Sequence, residues 1–375
     1  MARQVHNDAL LRAELARLRL DALIARSGRN AAYLSGMTFP GTLGRLQDFT
    51  YAPRATLVVW PLDGEPTLIA SAIAAGLAEQ RSWIEDIRVF REYVESPFAA
   101  AARVLDEPNL SAGRIGIERR ELGVDHWSEL QAALPDAELV DCTDLLEGVR
   151  NIKTPVELER LKTAIEIQDE AHLHVFSTAR PGDTERDLHA RMVGRMLAGG
   201  AESAHGMLQA STTPVTYGGE GDTPLTPGVA VRTDYVCYYQ GYAANLSRMA
   251  VMGPASSGQA ERYIELLKVH RTTIDAVLRP GVSAEDVYRF GRDRLIEARS
   301  TVVAGLIGHS VGVWWHQEEP MLVPGEARPL RPGMVVCLEP ILDGFWHLQD
   351  EILITDGEPE LLSTAFDTSR LFEMG

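Results

Sequence analysis

The sequence predicts an α/β (α+β) chain of two domains, the second carrying a pseudo-twofold internal duplication. Three observations lead there. Through about residue 150, short apolar runs alternate with stretches of helical period, the pattern of an α/β domain. A fresh helix start then stands at Asn151-Ile152-Lys153-Thr154-Pro155, and beyond it two short motifs recur at matching places before strand-rich segments. With 375 residues, 45% of them hydrophobic, the chain can fill two cores, and the expected domains are 1–150 and 151–375.

Asn7 to Leu20 places Leu10, Leu11, Leu15 and Leu18 at helical spacing, and Ala22 to Ala25 follows as a short buried strand. Thr56–Trp60 and Pro66–Ala70 flank a Pro-Leu-Asp-Gly turn in which Asp63-Gly64 suits a tight hairpin. Ile115–Ile117 is a further strand before a helix starting near Asp125. In the second half Thr154 is placed to cap a long helix with Pro155 as its first residue. A second helix follows Pro181-Gly182-Asp183-Thr184, and a third runs from about Gly258 into Leu278. Pro280-Gly281-Val282-Ser283 repeats the earlier Pro181-Gly182 motif, and Leu330-Arg331-Pro332-Gly333 repeats Leu225-Thr226-Pro227-Gly228. Strands are expected over Val229–Tyr239, Tyr242–Met252, Met334–Leu342 and Glu351–Thr355.

A net charge of −17 repels phosphate backbones and anionic lipid, so nucleic acid and membrane are poor partners and a small-molecule substrate fits better. No apolar run approaches the roughly eighteen residues of a membrane span, and the start has no secretory apolar core, so the cytoplasm is expected. Cys142, Cys237 and Cys337 are scattered without CxxC spacing, which supports neither a disulfide framework nor a thiolate zinc site.

Four marks, in this order and at these separations, resemble the pita-bread family of creatinase, aminopeptidase P and prolidase (peptidase M24-like). They are Ile152-Lys153-Thr154-Pro155-Val156-Glu157, Leu-x-Pro-Gly before Asp234, Gly308-His309-Ser310-Val311-Gly312, and Leu330-Arg331-Pro332-Gly333 leading to Leu338-Glu339-Pro340. The resemblance implies a creatinase-like N-terminal domain, a pita-bread catalytic domain and a homodimer. It also implies that metal-dependent members hold two divalent ions with Asp, Asp, His, Glu and Glu, the second Asp and the last Glu bridging both.

Asp234, His309 and Glu339 match three of those positions, whereas Asn245 and Gln349 stand at the two bridging ones. Two ions bring four positive charges, and a neutral amide supplies neither the charge nor the bridging oxygens of a carboxylate. The expected cofactor is therefore none and the expected metal ligands none. Asp350 and Glu351 fail as replacements, one by facing the other side of its strand and one by lying two residues along.

The function expected from this is a metal-independent, creatinase-like enzyme that hydrolyses or rearranges a C–N bond of a small polar or cationic substrate. His309 and His316 would carry protons, with Asp234 and Glu339 as catalytic carboxylates anchoring the substrate. Asn245, Gln349, Tyr217, Arg54 and Trp315 are the expected substrate-binding residues, Tyr217 standing where creatinase-like members use a histidine. Arg45 and Arg54 are candidates to reach a neighbouring subunit's pocket. Trp314, Trp315 and Trp346 are candidates to wall it, against the alternative of plain packing. His205 and His347 carry no motif and read as solvated or structural, Cys237 and Cys337 as buried and inert, and the acids around Glu318 as a pocket rim. Two alternatives stay open: an Xaa-Pro dipeptidase-like metallopeptidase with a degraded metal site, and a non-catalytic pita-bread binding module. Lyase, isomerase and cyclase chemistry fits the same residues.

Overall fold

Asn7 starts the first helix, its side-chain oxygen accepting from Leu10 N, and Asp8–Leu18 follows with Leu11 and Leu15 buried beneath it. The computed structural model describes residues 6–26, 28–38, 54–212, 220–313 and 316–375. It divides into two units, 1–150 and 151–375. None of its described helices is long and apolar enough to cross a membrane.

In the first unit six strands, β1 (Ala22–Ala25), β2 (Leu57–Pro61), β3 (Thr67–Ser71), β4 (Asp86–Phe90), β5 (Arg114–Ile117) and β6 (Glu138–Asp141), make one sheet of order β4-β3-β2-β1-β5-β6. The β1/β2 and β2/β3 pairs are antiparallel and the remainder parallel, so the sheet is mixed. All four residues of β1 are buried, as an unbroken apolar run in a central strand requires. Gly64, at φ +122°, turns the β2–β3 hairpin.

The second unit opens with the helix Pro155–Thr178, closed at its start by a reciprocal capping box. Thr154 Oγ1 accepts from Glu157 N at 3.4 Å, and Glu157 Oε2 accepts from Thr154 N at 2.8 Å. The helix Glu185–Ala198 follows, then β7 (Ser203–Ala210), β8 (Ala230–Tyr239), β9 (Tyr242–Leu246) and β10 (Met249–Met252). The helices Ser257–Val277 and Ala284–Glu297 come next. They lead into β11 (Gly308–Ser310), β12 (Glu318–Leu322), β13 (Val335–Leu338), the short pair β14 (Ile341–Leu342) and β15 (Trp346–His347), β16 (Asp350–Leu353), β17 (Glu360–Leu361) and β18 (Phe372–Met374). One sheet runs β18-β10-β8-β7 with β9 also on β8, and the other runs β12-β11-β13-β16-β17. The continuous strand expected over Tyr242–Met252 is broken at Ser247-Arg248, where the chain leaves one end of β8 for the other. There Ser247 bridges to Gln349 and the Arg248 side chain turns inward to Asp169.

The two motif copies fold alike. Gly182 N donates to Leu225 O and Gly281 N donates to Leu330 O, both at 2.9 Å. Leu225 N and Leu330 N return bonds to Asp183 O and Val282 O, both at 2.8 Å. Thr184 bridges Pro224 as Ser283 bridges Pro329. Gly182 (φ +97°) and Gly281 (φ +86°) occupy the same left-handed turn position, which repeats the local fold in each half of the unit.

Candidate functional site

Strand alternation sorts β8 into two faces. Thr233 and Cys237 meet the helix Pro155–Thr178, through His172 Nε2 at 2.9 Å and Ala164 O at 3.3 Å, so Arg232, Asp234 and Val236 face away from it. The β8–β9 hairpin then sets Asn245 diagonally beside Asp234. From the second sheet β11 supplies His309, and Glu339 and Gln349 adjoin the β13–β16 ladder. Gly308 is required for that approach, since a Cβ there would stand 2.2 Å from the Cys337 carbonyl oxygen.

These residues form one hydrogen-bonded constellation centred on Asn245. Its Nδ2 donates to Asp234 Oδ1 at 3.2 Å and to the Tyr235 carbonyl at 3.0 Å. Because a backbone carbonyl only accepts, this fixes the amide's orientation and aims Oδ1 the other way. Oδ1 accepts from Gln349 Nε2 at 2.8 Å and lies 3.1 Å from His309 Nε2. Gln349 Oε1 accepts in turn from Ser247 Oγ at 3.1 Å. Asn245 is 3% exposed and Gln349 is fully buried, and their polar atoms are engaged by the protein, so the geometry gives them the part of a frame where substrate contact was expected. His309 Nδ1 lies 2.8 Å from the Ser310 carbonyl. Burial pulls this histidine's pKa down to about 4, against the backbone carbonyls that favour its protonated form.

Glu339 Oε1 stands 3.7 Å from His309 Nε2, and Oε2 stands 3.8 Å from His347 Nε2. Both gaps exceed hydrogen-bond length. Burial, then the neighbouring Asp234, pushes the Glu339 carboxyl up to about 8. Burial also raises Asp234, opposed by the Asn245 bond and by the Arg232 charge. His316, partly exposed, packs edge-on to His309 with ring centres 5.9 Å apart.

Sequence reasoning missed three neighbours. His205 lies 5.9 Å from His316 and stacks on Tyr238. Arg232 stands on the Asp234 face of β8, and His347, 1% exposed, flanks Glu339. His347 is thus buried, in keeping with a structural histidine, and His205 is half-buried beside His316. Arg232 lies two residues before Asp234 on the same strand face, which is the sign that would have found it, whereas His347 ends a two-residue strand and shares none with Gln349.

Other expectations land elsewhere. Arg54 belongs to the first unit, where its guanidinium lies 5.5 Å from the Tyr93 ring centre. Tyr217, Trp314, Trp315 and Arg45 lie outside the described residues. Trp346 packs edge-on to Phe345. Glu318 is no rim residue: it is 1% exposed, 3.9 Å from Lys153 Nζ. Asp350 pairs with Arg248 at 3.0 Å, and Glu351 Oε1 accepts from the Asn245 backbone N at 2.8 Å, which takes both acids out of the site. Cys237 and Cys337 are buried thiols with pKa raised by burial.

Two stretches of the chain match known families. Residues 9–152 match the Creatinase/Prolidase N-terminal domain, and residues 159–357 match Metallopeptidase family M24. The chain belongs to metallopeptidase family M24. Within the family it is 27% identical to the probable dipeptidase PepE of Mycobacterium tuberculosis, over 93% of this chain and 91% of that one. It is 26% identical to the Xaa-Pro dipeptidase of Lactobacillus helveticus, over 86% and 88%. A Bacillus creatinase matches less significantly, at 27% over 93% and 83%. The crystal structure of PepE from Mycobacterium ulcerans superposes with a TM-score of 0.77 at 25% identity, covering 98% of this chain and 96% of that one.

These matches overturn the expected metal-independent creatinase-like function, because dipeptidases stand ahead of creatinase among the relatives along nearly the whole chain. Amides at two of five ligand positions suit the creatinase branch, whereas the rest of the sequence sides with dipeptidases. The ions that the M24 name implies still have to fit this chain's donors. Among the described residues no group of three or more His, Cys, Asp or Glu side chains is arranged to hold an ion. The Asn245 and Gln349 amides, expected from the motifs at the bridging positions, bond each other, and His309 Nε2 faces an acceptor oxygen. The residues present do not fit the family's two-ion centre.

Proposed function

We propose that this M24 chain is a hydrolase of the dipeptidase type, cleaving the C–N bond of small dipeptides of the Xaa-Pro kind at a centre whose two-ion donor set is incomplete. The observation that carries this reading is the convergence of Asp234, Asn245, His309, Glu339 and Gln349 on one cluster, in a chain that aligns with dipeptidases along nearly its full length.

Peptide hydrolysis needs a group that takes a proton from water and one that gives a proton to the leaving amine. Asp234 and Glu339 offer both roles, since two neighbouring carboxyls in different environments hold one proton between them. Asp234 takes a hydrogen bond from Asn245 that favours its ionised form, while Glu339, at about 8, carries a proton at neutral pH. The ionised carboxylate also grips the substrate's ammonium group by a charge-assisted hydrogen bond. His316, partly exposed beside His309, exchanges protons with solvent. A cytoplasmic homodimer completes the reading, and sedimentation velocity checks its size.

Release of free amino acids from a panel of Xaa-Pro and other dipeptides, with and without added manganese or cobalt, tests the proposal. Wild type should release them, and His309→Ala and Asp234→Asn should lose at least a hundredfold in kcat/KM while remaining folded. No release from any dipeptide under either condition sinks it.

A further inference from the structure

We infer that Arg232 is a specificity-determining residue of this site, taking the free carboxylate of a dipeptide whose ammonium end is held by Asp234. This rests on the hydrolase reading and adds which end of the substrate is read, and by what.

Arg232 and Asp234 stand two residues apart on one face of β8. Along a strand that spacing is about 6.7 Å. A cation and an anion borne at neighbouring positions of one strand face carry the two charges complementary to those of a dipeptide zwitterion.

The guanidinium is held in position as well as placed. Arg232 is 3% exposed, and its Nε donates to Gln209 Oε1, its partner across the β7–β8 register, at 3.0 Å. Nη1 reaches the Gly344 carbonyl at 3.5 Å and Nη2 the Met207 sulfur at 3.6 Å. The first contact is at the limit of a hydrogen bond and the second is to a weak acceptor. A carboxylate offers that fork two charge-assisted bonds in their place.

His347 is the second observation. It is 1% exposed, neither ring nitrogen has a hydrogen-bond partner, and it lies near enough to Arg232 to feel its charge. Buried polar groups without partners are uncommon and call for an explanation. Glu339 Oε2 stands across the 3.8 Å gap from His347, and the other oxygen, Oε1, also has no hydrogen-bond partner. A carboxylate on Arg232 gives the imidazole N–H an acceptor.

The test compares a dipeptide with its C-terminal amide, which has the same shape without the negative charge. Ala-Pro and Ala-Pro-amide are titrated calorimetrically into wild type, Arg232→Met and Arg232→Lys, and kcat/KM is measured for both. Wild type should favour the free acid by about ten- to a hundredfold, the range of one charge-assisted pair. Arg232→Met should abolish the preference by weakening acid binding and leaving amide binding unchanged. Arg232→Lys, which keeps the charge but not the fork, should lie between, and it carries the test if the methionine variant fails to fold. A methionine variant with the wild-type preference overturns the assignment, as does a wild type that cleaves dipeptides without distinguishing acid from amide. A wild type that neither binds nor cleaves either compound refutes the hydrolase reading itself, and this assignment with it.

Discussion

Returning carboxylates to the two amide positions, Asn245→Asp together with Gln349→Glu, strikes the centre of the hydrogen-bond network. Asn245 Nδ2 donates at 3.2 Å to Asp234 and at 3.0 Å to the Tyr235 carbonyl, and Gln349 Nε2 donates at 2.8 Å to Asn245 Oδ1. The double substitution turns each donor into an acceptor, so three attractive contacts become repulsive. Two carboxylates 3.2 Å apart repel by about 5 kcal/mol at an effective dielectric near 20, and each orphaned acceptor adds about 1–3 kcal/mol. Proton uptake relieves part of this, leaving a net loss of about 3–6 kcal/mol in the absence of metal. The variant also regains the four carboxyls and one histidine that two-ion members use. Manganese at a hundred times its Kd would then return about 2.7 kcal/mol. Urea unfolding in chelator and in millimolar manganese, with metal content measured alongside, reads both effects. A double variant as stable as wild type in chelator, or one that manganese fails to stabilise, refutes the placement of Asn245 and Gln349 at the bridging positions.

Other outcomes follow from the same structure. Burial pushes Glu339 and Glu351 up to about 8 and Glu157 to about 7, so the stability they contribute is full below about pH 4.5 and is lost as pH rises through 7 to 8. Burial lowers His172 to about 3 and His270 and His309 to about 4, and their contribution, present above about pH 6.5, is lost as pH falls through those values. Between pH 6.5 and 8.5 the carboxyls act alone, so the unfolding midpoint should fall there, and Glu351→Gln should flatten the fall. Arg248, fully buried, binds Asp169 at 2.7 Å and Asp350 at 3.0 Å, so Arg248→Ala should cost about 3–5 kcal/mol in denaturant unfolding by stranding two buried carboxylates. Gly206→Ala sets a Cβ 2.3 Å from the Asp234 carbonyl oxygen and should shift β8, lowering kcat/KM at least tenfold in the dipeptide assay while circular dichroism stays native.

What the sequence made legible is what local rules govern. Thr154 and Pro155 announce a helix start because capping needs only neighbours in the chain. The paired Pro-Gly motifs announce a repeat because each Gly meets the same left-handed demand. Asp234, Asn245, His309, Glu339 and Gln349 were found through motifs tied to strand ends. His205 was not, because β7 shows no strand pattern of its own. Its place is set by an eight-residue antiparallel register with β8, a long-range pairing that local composition does not encode. Arg232 was overlooked because a buried cation reads from sequence as a surface residue, although strand alternation already put it on the site face, and His347 because it shares no strand with Gln349. The choice between creatinase and dipeptidase escaped for a different reason: five side chains define a centre, but relatedness is carried by all the others.

The two amides come one from each half of the duplicated unit, and the hydrogen bond between them joins the halves. This gives the pair a direction in descent. A lone amide at 245 would face a carboxylate from 349, and a lone carboxylate at 245 would face Asp234 and the Tyr235 carbonyl, so each single intermediate is less stable than either end state. A lineage that has accepted one replacement is pressed toward the second, and one holding both is held there by the first step back. Relatives should therefore carry both amides or neither, and a set in which the two positions vary independently would show that the bond exerts no such hold.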